Sequence, residues 1–363
     1  MIPLYANLLD FRDIFLHEKN ARGKLKSTFS LLFNKRNTVL TTDGRNAIYL
    51  ALTSMGLKKD DEIIIPAYTC KIVPNTIKKV CKPVYADIDA DTYNIDPEKI
   101  EEKITNKTRA VLIVHAYGNP CKMKEIMDIV RENNLVLIED VAQALFGRYR
   151  ERLLGSFGDY SIFSFRFSKD ITSFKGGALL TNKNIEEYSD KESNLLTKMK
   201  IFSVLLGFSF LKFHPAIRDL VQWAVKSNSV FLLKKKTLSE YQCSLLNKQM
   251  KEIKRAIERR RENASFYNKK LKDVVITPKE CKYCFHTYFR YSIRVENRDK
   301  LYNYMLSKGI QVDKMYDYSL CPEKCENSER VSRQILNIPV HHKLKKEELK
   351  KVVEVIHEFK RME

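Results

Sequence analysis

The central stretch of the sequence reads Phe163-Ser164-Phe165-Arg166-Phe167-Ser168-Lys169, and Gly176-Gly177 follows seven and eight positions after the lysine. Its aromatic-rich start predicts a buried strand, so the amine of Lys169 is expected just beyond a strand end. An amine held there is desolvated, which lowers its pKa. Such an amine can attack a carbonyl carbon. The glycine pair would let the backbone pass close to whatever the lysine holds.

The chain contains 65 Lys and Arg residues, so a lone lysine would be a surface side chain, and it is the upstream sequence that singles out Lys169. Five motifs precede it: Asp43-Gly44-Arg45-Asn46-Ala47, Pro66-Ala67-Tyr68-Thr69, Val114-His115-Ala116-Tyr117-Gly118, Glu139-Asp140-Val141-Ala142-Gln143-Ala144 and Gly155-Ser156-Phe157-Gly158-Asp159. In this order and spacing they resemble the pyridoxal-phosphate-dependent nucleotide-sugar aminotransferases of the DegT/StrS type. The resemblance runs from about Thr41 to Asn182 and resumes more weakly from about Leu238.

The resemblance implies an α/β fold of the aspartate-aminotransferase type (fold type I). A large domain with a mostly parallel sheet is expected over residues 1–237, and a connector helix with a smaller α+β domain over 238–363. The length of 363 residues and the 44% hydrophobic content suit two cores. The active site is expected at the carboxyl ends of the large-domain strands.

Asp140 is predicted to be the partner of the cofactor ring. It ends the apolar strand Leu135–Ile138, and a carboxylate at the carboxyl end of a central parallel strand faces the ligand crevice. Against a pyridinium N–H it would keep the ring nitrogen protonated, so that the ring accepts electrons. The alternative is that Asp140 only caps the following helix. The resemblance also implies that Lys169 holds pyridoxal 5'-phosphate and that Gln143 lies beside its ring.

A phosphate site is predicted where a short strand, Gly44 and a helix meet, because unpaired N–H groups point outward at a helix N-terminus. The resemblance assigns Gly44, Arg45 and Asn46 to the cofactor there, together with Ser164. Related proteins usually have Ser or Thr in place of Arg45, so a hydroxyl contact is missing.

Two further departures from the family pattern affect the predicted site. Cys70 stands where an aromatic residue usually stacks on the cofactor ring, so either Cys70 contacts the ring less strongly or Tyr68 approaches instead. Phe174-Lys175-Gly176-Gly177 replaces the usual Gly-Glu-Gly-Gly. These changes leave open a non-catalytic scaffold with a decayed site. A sugar dehydratase is the other alternative, but such members typically have His in place of the lysine.

The predicted reaction is transamination from an amino acid, glutamate by expectation, to the keto group of a nucleotide-activated sugar in amino-sugar or polysaccharide biosynthesis. His286 and Tyr316 occupy positions where family members approach the substrate. A homodimer with shared active sites is expected from the resemblance alone.

A formal net charge of +20 predicts an anionic partner. The sequence carries no zinc-finger, helix-turn-helix or RNA-binding signature, so nucleic acid is not expected. The segment at about 190–237 is unusually apolar and is punctuated by lysines. Its stretch 201–225 either lies in a membrane interface or packs as buried helices. Eight cysteines and the absence of an N-terminal signal pattern predict a cytoplasmic protein, with peripheral membrane contact as an option.

Four of the cysteines form two pairs, Cys281 with Cys284 and Cys321 with Cys325. Four thiolates could close around zinc. The gap between the pairs is long, however, and the family needs no metal. Free thiols and no metal site are therefore the prediction.

Overall fold

The computed structural model describes residues 1–6, 8–188, 193–194, 197–199 and 236–363. Its strands are β1 (Asn37–Thr41), β2 (Glu62–Pro66), β3 (Lys82–Ala86), β4 (Thr108–Val114), β5 (Val136–Asp140), β6 (Arg148–Tyr149), β7 (Arg152–Leu153), β8 (Tyr160–Ser164), β9 (Gly177–Thr181), β10 (Cys284–Phe285), β11 (Tyr291–Arg294) and β12 (Ile335–Ile338). A seven-stranded sheet has the order β1-β9-β8-β5-β4-β2-β3, in which β9 alone runs against the other six. The mostly parallel sheet predicted from the sequence is confirmed.

Helices cover both faces of this sheet. The α-helices of the described residues are α1 (Ala21–Phe33), α2 (Gly44–Ser54), α3 (Ile72–Ile77), α4 (Pro97–Glu101), α5 (Met123–Glu132), α6 (Glu240–Leu271), α7 (Arg298–Ser307), α8 (Glu326–Gln334) and α9 (Lys346–Met362), of which α7 and α9 pack in a separate core with β11 and β12. Ile63 and Ile65 pack in the core formed with α2 and α3, whereas Ile64 packs in the core formed with α1 and α5. Because these strands are buried on both faces, their sequences are continuous apolar runs and do not alternate between apolar and polar residues.

The long helix α6 connects two hydrophobic cores. Ser239 begins it with a capping box, in which the Ser239 hydroxyl accepts from the Gln242 N–H. Ile253 and Ile257 pack in the core of the large sheet, whereas Tyr267 packs with β11, β12 and α9. The domain boundary at 237/238 stays a prediction, because α6 contributes to both cores.

A buried carboxylate organises the turn that leads into β8. The N–H groups of Gly155, Phe157 and Gly158 donate to Glu139 at 2.8, 2.7 and 2.5 Å. His115, whose Nδ1 accepts a backbone N–H, presents Nε2 to the same carboxylate at 3.3 Å. Burial opposes ionisation of Glu139, but His115 and the backbone donors outweigh it and lower its pKa. The Gly155–Asp159 motif therefore folds around an ionised side chain.

The segment 201–225, which was predicted to lie in a membrane interface or in buried helices, falls outside the described residues. Within the described ranges, the structure contains no helix that is both long and apolar enough to cross a membrane.

We expect Glu139→Gln to lower the free energy of unfolding by about 3 kcal/mol, because it leaves buried N–H donors facing an amide. The folded-state pKa of Glu139 is lowered, so its contribution is complete above the ordinary Glu value of about 4.3 and is lost as the pH falls through the folded value. Urea unfolding between pH 3 and 7 should show a steeper acid loss in the wild type than in the variant. Glu132→Gln, on the exposed end of α5, is the control and should change neither quantity. Equal acid slopes for wild type and Glu139→Gln would contradict this account.

Candidate active site

A cavity of about 640 Å³ opens at the carboxyl ends of the parallel strands. The last residues of β4, β5 and β8, which are Val114, Asp140 and Ser164, all line it. Eight of the residues that the sequence assigned to the site line this cavity: Gly44, Arg45, Cys70, Asp140, Gln143, Ser164, Lys169 and Tyr316. Asn46 and His286 do not.

Lys169 lies in the turn after β8, where its backbone N–H donates to the Arg166 carbonyl at 3.0 Å. Its side chain is partly open to the cavity but is otherwise enclosed by protein, and Nζ lies 5.4 Å from the ring centre of Phe289. Burial lowers the pKa of Lys169, and the negative charge of Asp140 acts in the opposite direction. The amine is thus biased toward its neutral, nucleophilic form.

Asp140 is buried, and one of its oxygens accepts the Ala142 N–H at 2.9 Å. Burial raises the pKa of this carboxyl, while the Ala142 N–H and the charge of Lys169 oppose the rise. A turn and no helix follows β5, so the alternative of a helix cap is wrong, and the role of Asp140 as partner of the cofactor ring stays a prediction. The carboxylate makes a local bond to the following turn, and it also faces the cavity that contains Lys169.

One wall of the cavity is formed by the start of α2, where the sequence predicted a phosphate site. Asp43 caps this helix by accepting the Asn46 N–H at 3.0 Å. A Cβ on Gly44 would stand 3.2 Å from the Cβ of Ser164, so glycine lets the helix start approach the end of β8. Arg45 lines the cavity and pairs with Asp43 at 3.7 Å. The first-turn N–H groups and the Ser164 hydroxyl suit a phosphate.

Asn46, which the resemblance assigned to the cofactor, turns away from the cavity. Its side-chain amide donates to the Thr42 hydroxyl at 2.6 Å, and the residue is buried. Gly177 also differs from expectation. A Cβ there would lie 2.6 Å from the carbonyl carbon of Asp43, so this glycine accommodates neighbouring backbone and not a ligand.

At the opposite end of the cavity, Gln143 connects two parts of the wall. Its Oε1 accepts the Tyr117 N–H at 3.0 Å, and its Nε2 donates to the Tyr316 hydroxyl at 2.9 Å. Tyr68 does not line the cavity, because its hydroxyl is hydrogen-bonded to that of Tyr117 at 2.7 Å. Cys70 does line it, so of the two alternatives for the ring position only Cys70 is exposed there.

The two predicted substrate residues differ in placement. Tyr316 lines the cavity, with its backbone in the left-handed region at φ 59°. His286 is 1% exposed and stacks on Tyr288 with ring centres 3.9 Å apart. Its Nδ1 accepts the Tyr288 N–H. It supports the fold beside the site, and sequence alone could not separate this role from contact with substrate.

The paired cysteines do not converge on one point. Cys281 and Cys284 are joined by a disulfide near the Pro120 carbonyl, so the expectation of free thiols is wrong for this pair. Cys321 and Cys325 are free, and burial and the Cys321 thiol raise the pKa of Cys325. In the part of the chain that the structure describes, no three His, Cys, Asp or Glu side chains are grouped to hold a metal ion.

The donor set of this cavity fits pyridoxal phosphate. An amine suited to bond an aldehyde, a carboxylate suited to a ring N–H, and a helix start suited to a phosphate face one space. The hydroxyl of Thr69 is buried in the same wall, with no hydrogen-bond partner among the described residues. A ligand with a polar edge would satisfy it.

Part of the cavity wall was not predicted from the sequence. Leu4 and Tyr5 line the cavity from the N-terminal segment, and Gln311, Val312 and Asp313 line it from the segment that follows α7. No local pattern could have identified them, because they reach the site only through tertiary packing. The N–H of Leu4, for example, donates to the side chain of Gln311 at 3.3 Å.

Comparison with known proteins agrees with this geometry. The model of the DegT/DnrJ/EryC1/StrS aminotransferase family matches residues 15–357. The chain is 30% identical over 356 residues to GDP-perosamine synthase of Escherichia coli O157:H7, covering 94% of this chain and 91% of the relative. It is 28% identical over 332 residues to dTDP-3-amino-3,6-dideoxy-alpha-D-galactopyranose transaminase of Aneurinibacillus thermoaerophilus. The match covers 87% of this chain and 84% of the relative.

Solved structures show the same fold. The aminotransferase TlmJ from Streptoalloteichus hindustanus matches with a TM-score of 0.79 at 19% identity, over 98% of each chain. A DegT DnrJ EryC1 StrS aminotransferase from Brucella abortus matches with a TM-score of 0.75 at 22% identity, over 95% of this chain and 91% of that one. The predicted fold class, enzyme class and cofactor are confirmed. The chain belongs to the DegT/DnrJ/EryC1/StrS aminotransferase family.

Proposed function

We propose that this protein transfers an amino group from glutamate to the keto group of a nucleotide-activated sugar, in amino-sugar and surface-polysaccharide biosynthesis. The observation that carries the proposal is the placement of Lys169 and Asp140 in one cavity, with the Lys169 amine biased toward its neutral form. Relatives named as a GDP-perosamine synthase and as a dTDP-amino-sugar transaminase support a nucleotide-sugar substrate.

Lys169 has two tasks in this reaction. Its neutral amine would hold the cofactor by its aldehyde, and once an amino donor has displaced it, the same amine would accept the proton of the donor's α-carbon and act as the proton carrier of the site. An amine performs this exchange best when its pKa is near the working pH, and burial moves Lys169 in that direction. Pyridoxal phosphate, when bound, supplies an electron sink conjugated to the reacting carbon.

The remaining residues hold and tune the site. The carboxylate of Asp140 suits the ring nitrogen and would hold positive charge there. The α2 start at Gly44 and the Ser164 hydroxyl suit the phosphate. Gln143 fixes the Tyr316 hydroxyl at the cavity wall, and we assign Tyr316 to contact with the sugar substrate.

We further propose that the protein acts as a cytoplasmic homodimer with shared sites and touches the inner face of the membrane through residues 201–225. The dimer rests on the family resemblance. The membrane contact rests on the formal net charge of +20 and the apolar, lysine-punctuated character of that stretch. Sedimentation and flotation with anionic vesicles test the two parts separately. A sedimenting monomer would contradict the first, and protein that stays at the bottom of the gradient would contradict the second.

Replacing Lys169 with Ala should abolish the covalent attachment of pyridoxal phosphate and reduce amino transfer by at least about 100-fold, because the variant lacks both the attaching amine and the proton carrier. Borohydride reduction followed by peptide mass spectrometry measures the attachment, and a panel of nucleotide keto-sugars measures transfer. Lys183→Ala, at an exposed position, is the control. If Lys169→Ala still forms as much reduced cofactor adduct as the wild type, on the same peptide in both proteins, the assignment is refuted. Negligible cofactor binding by the wild type would favour a scaffold.

Replacing Asp140 with Asn should lower the pKa of Lys169 further, since the negative charge of Asp140 raises that pKa against the larger effect of burial. Competitive acetylation of the cofactor-free protein across pH reports the pKa of each lysine amine. The Lys169 midpoint should lie below the ordinary value of about 10.4 in the wild type and lower still in Asp140→Asn. Lys183 should titrate alike in both proteins. A midpoint that rises in the variant would contradict the proposed pairing.

Tyr316 and His286 should respond differently to substitution. Tyr316→Ala removes a side chain from the cavity wall and should raise KM for the keto-sugar by about 10-fold, the size of one lost hydrogen bond with some packing. His286→Gln changes a buried side chain outside the cavity, so it should lower the melting temperature and leave KM unchanged. Steady-state kinetics and thermal unfolding separate the two effects. An equal rise in KM for both variants would show that His286 also contacts substrate.

A further inference from the structure

Arg166 is a cation of the main cavity that the reaction proposed above does not use. It lies on the turn after β8, and its carbonyl accepts the Lys169 N–H at 3.0 Å. Phe163 and Phe165 pack in the core formed with α1. Ser164 and Arg166, which alternate with them along the chain, line the cavity instead. The arginine therefore extends the cavity wall beyond the hydroxyl of Ser164.

The guanidinium of Arg166 has no partner among the described residues. Within those ranges its side chain forms no hydrogen bond, ion pair or ring contact. None of the carboxylates that line the cavity pairs with it, namely Asp43, Asp140 and Asp313. The side chain is half-buried, so solvent screens its charge only in part. An anion in the cavity would therefore be attracted to this position.

The other cations of the cavity already have a task. Arg45 pairs with Asp43 at 3.7 Å at the start of α2, where the cofactor phosphate is expected. Lys169 holds the cofactor in the proposed reaction. Of the cations that the described part of the chain brings to the cavity, Arg166 is therefore the one left for a substrate.

The position of Arg166 identifies the anion. Arg166 and Lys169 are the two ends of one hydrogen-bonded turn, so their Cα atoms lie within about 7 Å of each other. The keto carbon of the sugar has to come close to the amine, and a nucleotide-activated sugar carries its diphosphate on the same ring. An extended arginine beside the lysine can therefore reach the diphosphate while the keto carbon faces the amine.

The chemistry of the guanidinium also favours this ligand. Its parallel N–H donors match two phosphate oxygens. A carboxylate of the amino donor is the rival ligand, but each carboxylate carries a single negative charge. The diphosphate of a nucleotide sugar carries two, so its Coulomb attraction to the guanidinium is stronger at the same distance.

We propose that Arg166 binds the diphosphate of the nucleotide-activated sugar. The proposal rests on the aminotransferase function proposed above, and it adds the residue that selects a nucleotide-linked sugar over a free sugar. Because Arg166 follows the strand end at Ser164 and precedes Lys169 in the same turn, the contact would also fix how far the sugar ring extends toward the amine.

The test measures the binding of nucleotides to the enzyme loaded with its cofactor. GDP, UDP and dTDP are each compared with the nucleoside that lacks the phosphates. Calorimetry on the wild type should favour a diphosphate over its nucleoside. Arg166→Gln should reduce that preference by about 10- to 100-fold, the range for hydrogen bonds to a charged group, and Arg166→Lys should retain part of it. A purely structural role would weaken both members of the pair equally.

Arg148→Gln is the matched control. Arg148 is also half-buried, but it lies on β6, pairs with Glu151 at 3.9 Å and does not line the cavity. Its variant should keep the wild-type preference. An Arg166→Gln protein that is folded, carries the cofactor and still prefers the diphosphate as the wild type does would overturn the proposal. Weaker binding of glutamate or of pyridoxal phosphate by that protein would then assign Arg166 to one of those anions.

A second measurement does not depend on any variant. Phenylglyoxal modification of Arg166 in the wild type, followed by peptide mass spectrometry, should be slowed by the preferred diphosphate and not by its nucleoside. A wild type that transfers amine to a keto-sugar but shows equal protection by both compounds refutes only the role of Arg166. A wild type that shows the diphosphate preference but transfers no amine to any keto-sugar refutes the proposed function and not the anion site.

Discussion

The desolvation of the Lys169 amine opposite the Asp140 carboxylate is the constraint on which the site depends. Burial shifts the two pKa values toward each other, lowering that of the amine and raising that of the acid, while their mutual attraction acts against both shifts. The two groups therefore act on each other across the cavity. A cationic ring nitrogen would stabilise the charge of Asp140, and an aldehyde would suit the amine of Lys169. The site is balanced so that one ligand can satisfy both groups.

Side chains on opposite faces of β5 have different roles. Successive side chains of a strand point to opposite faces, so Glu139 and Asp140 face different surroundings. Glu139 binds the backbone of the turn at Gly155–Gly158, which delivers the chain into β8. The end of β8 then carries Ser164, and the next turn carries Lys169. The buried carboxylate of Glu139 thus holds the turn that leads into the strand ending at Ser164, beyond which Lys169 lies.

The sequence predicted the parts of the site that are encoded locally. Strand ends, a glycine at a helix start and a lysine after a strand each leave a short pattern, and the structure brings Gly44, Asp140, Ser164 and Lys169 to one cavity. Where a residue's role depends on packing, the sequence could not distinguish contact with substrate from support of the fold. His286 and Tyr316 looked alike in sequence, yet a stacking contact buries one and Gln143 presents the other. Cys281 and Cys284 likewise form a disulfide, where the spacing had been weighed only as a zinc site or as free thiols.

The same enclosure that activates Lys169 explains why Arg290 was not predicted. A smaller pocket beside Lys169, which Arg290 lines, is assembled from the N-terminal segment, the turn after β8, the helix α6, the residues before β11 and those after β12, which are far apart in the chain. Each segment supplies an ordinary residue, and only their assembly removes water from the guanidinium. Burial lowers the pKa of Lys169 and the charge of Asp140 raises it, and the positive charge of Arg290 also lowers it, by a smaller amount. A ligand that neutralises Arg290 would therefore weaken this effect and favour protonation of Lys169. Binding of an anion beside the amine and the proton affinity of the amine are thus coupled through one charge.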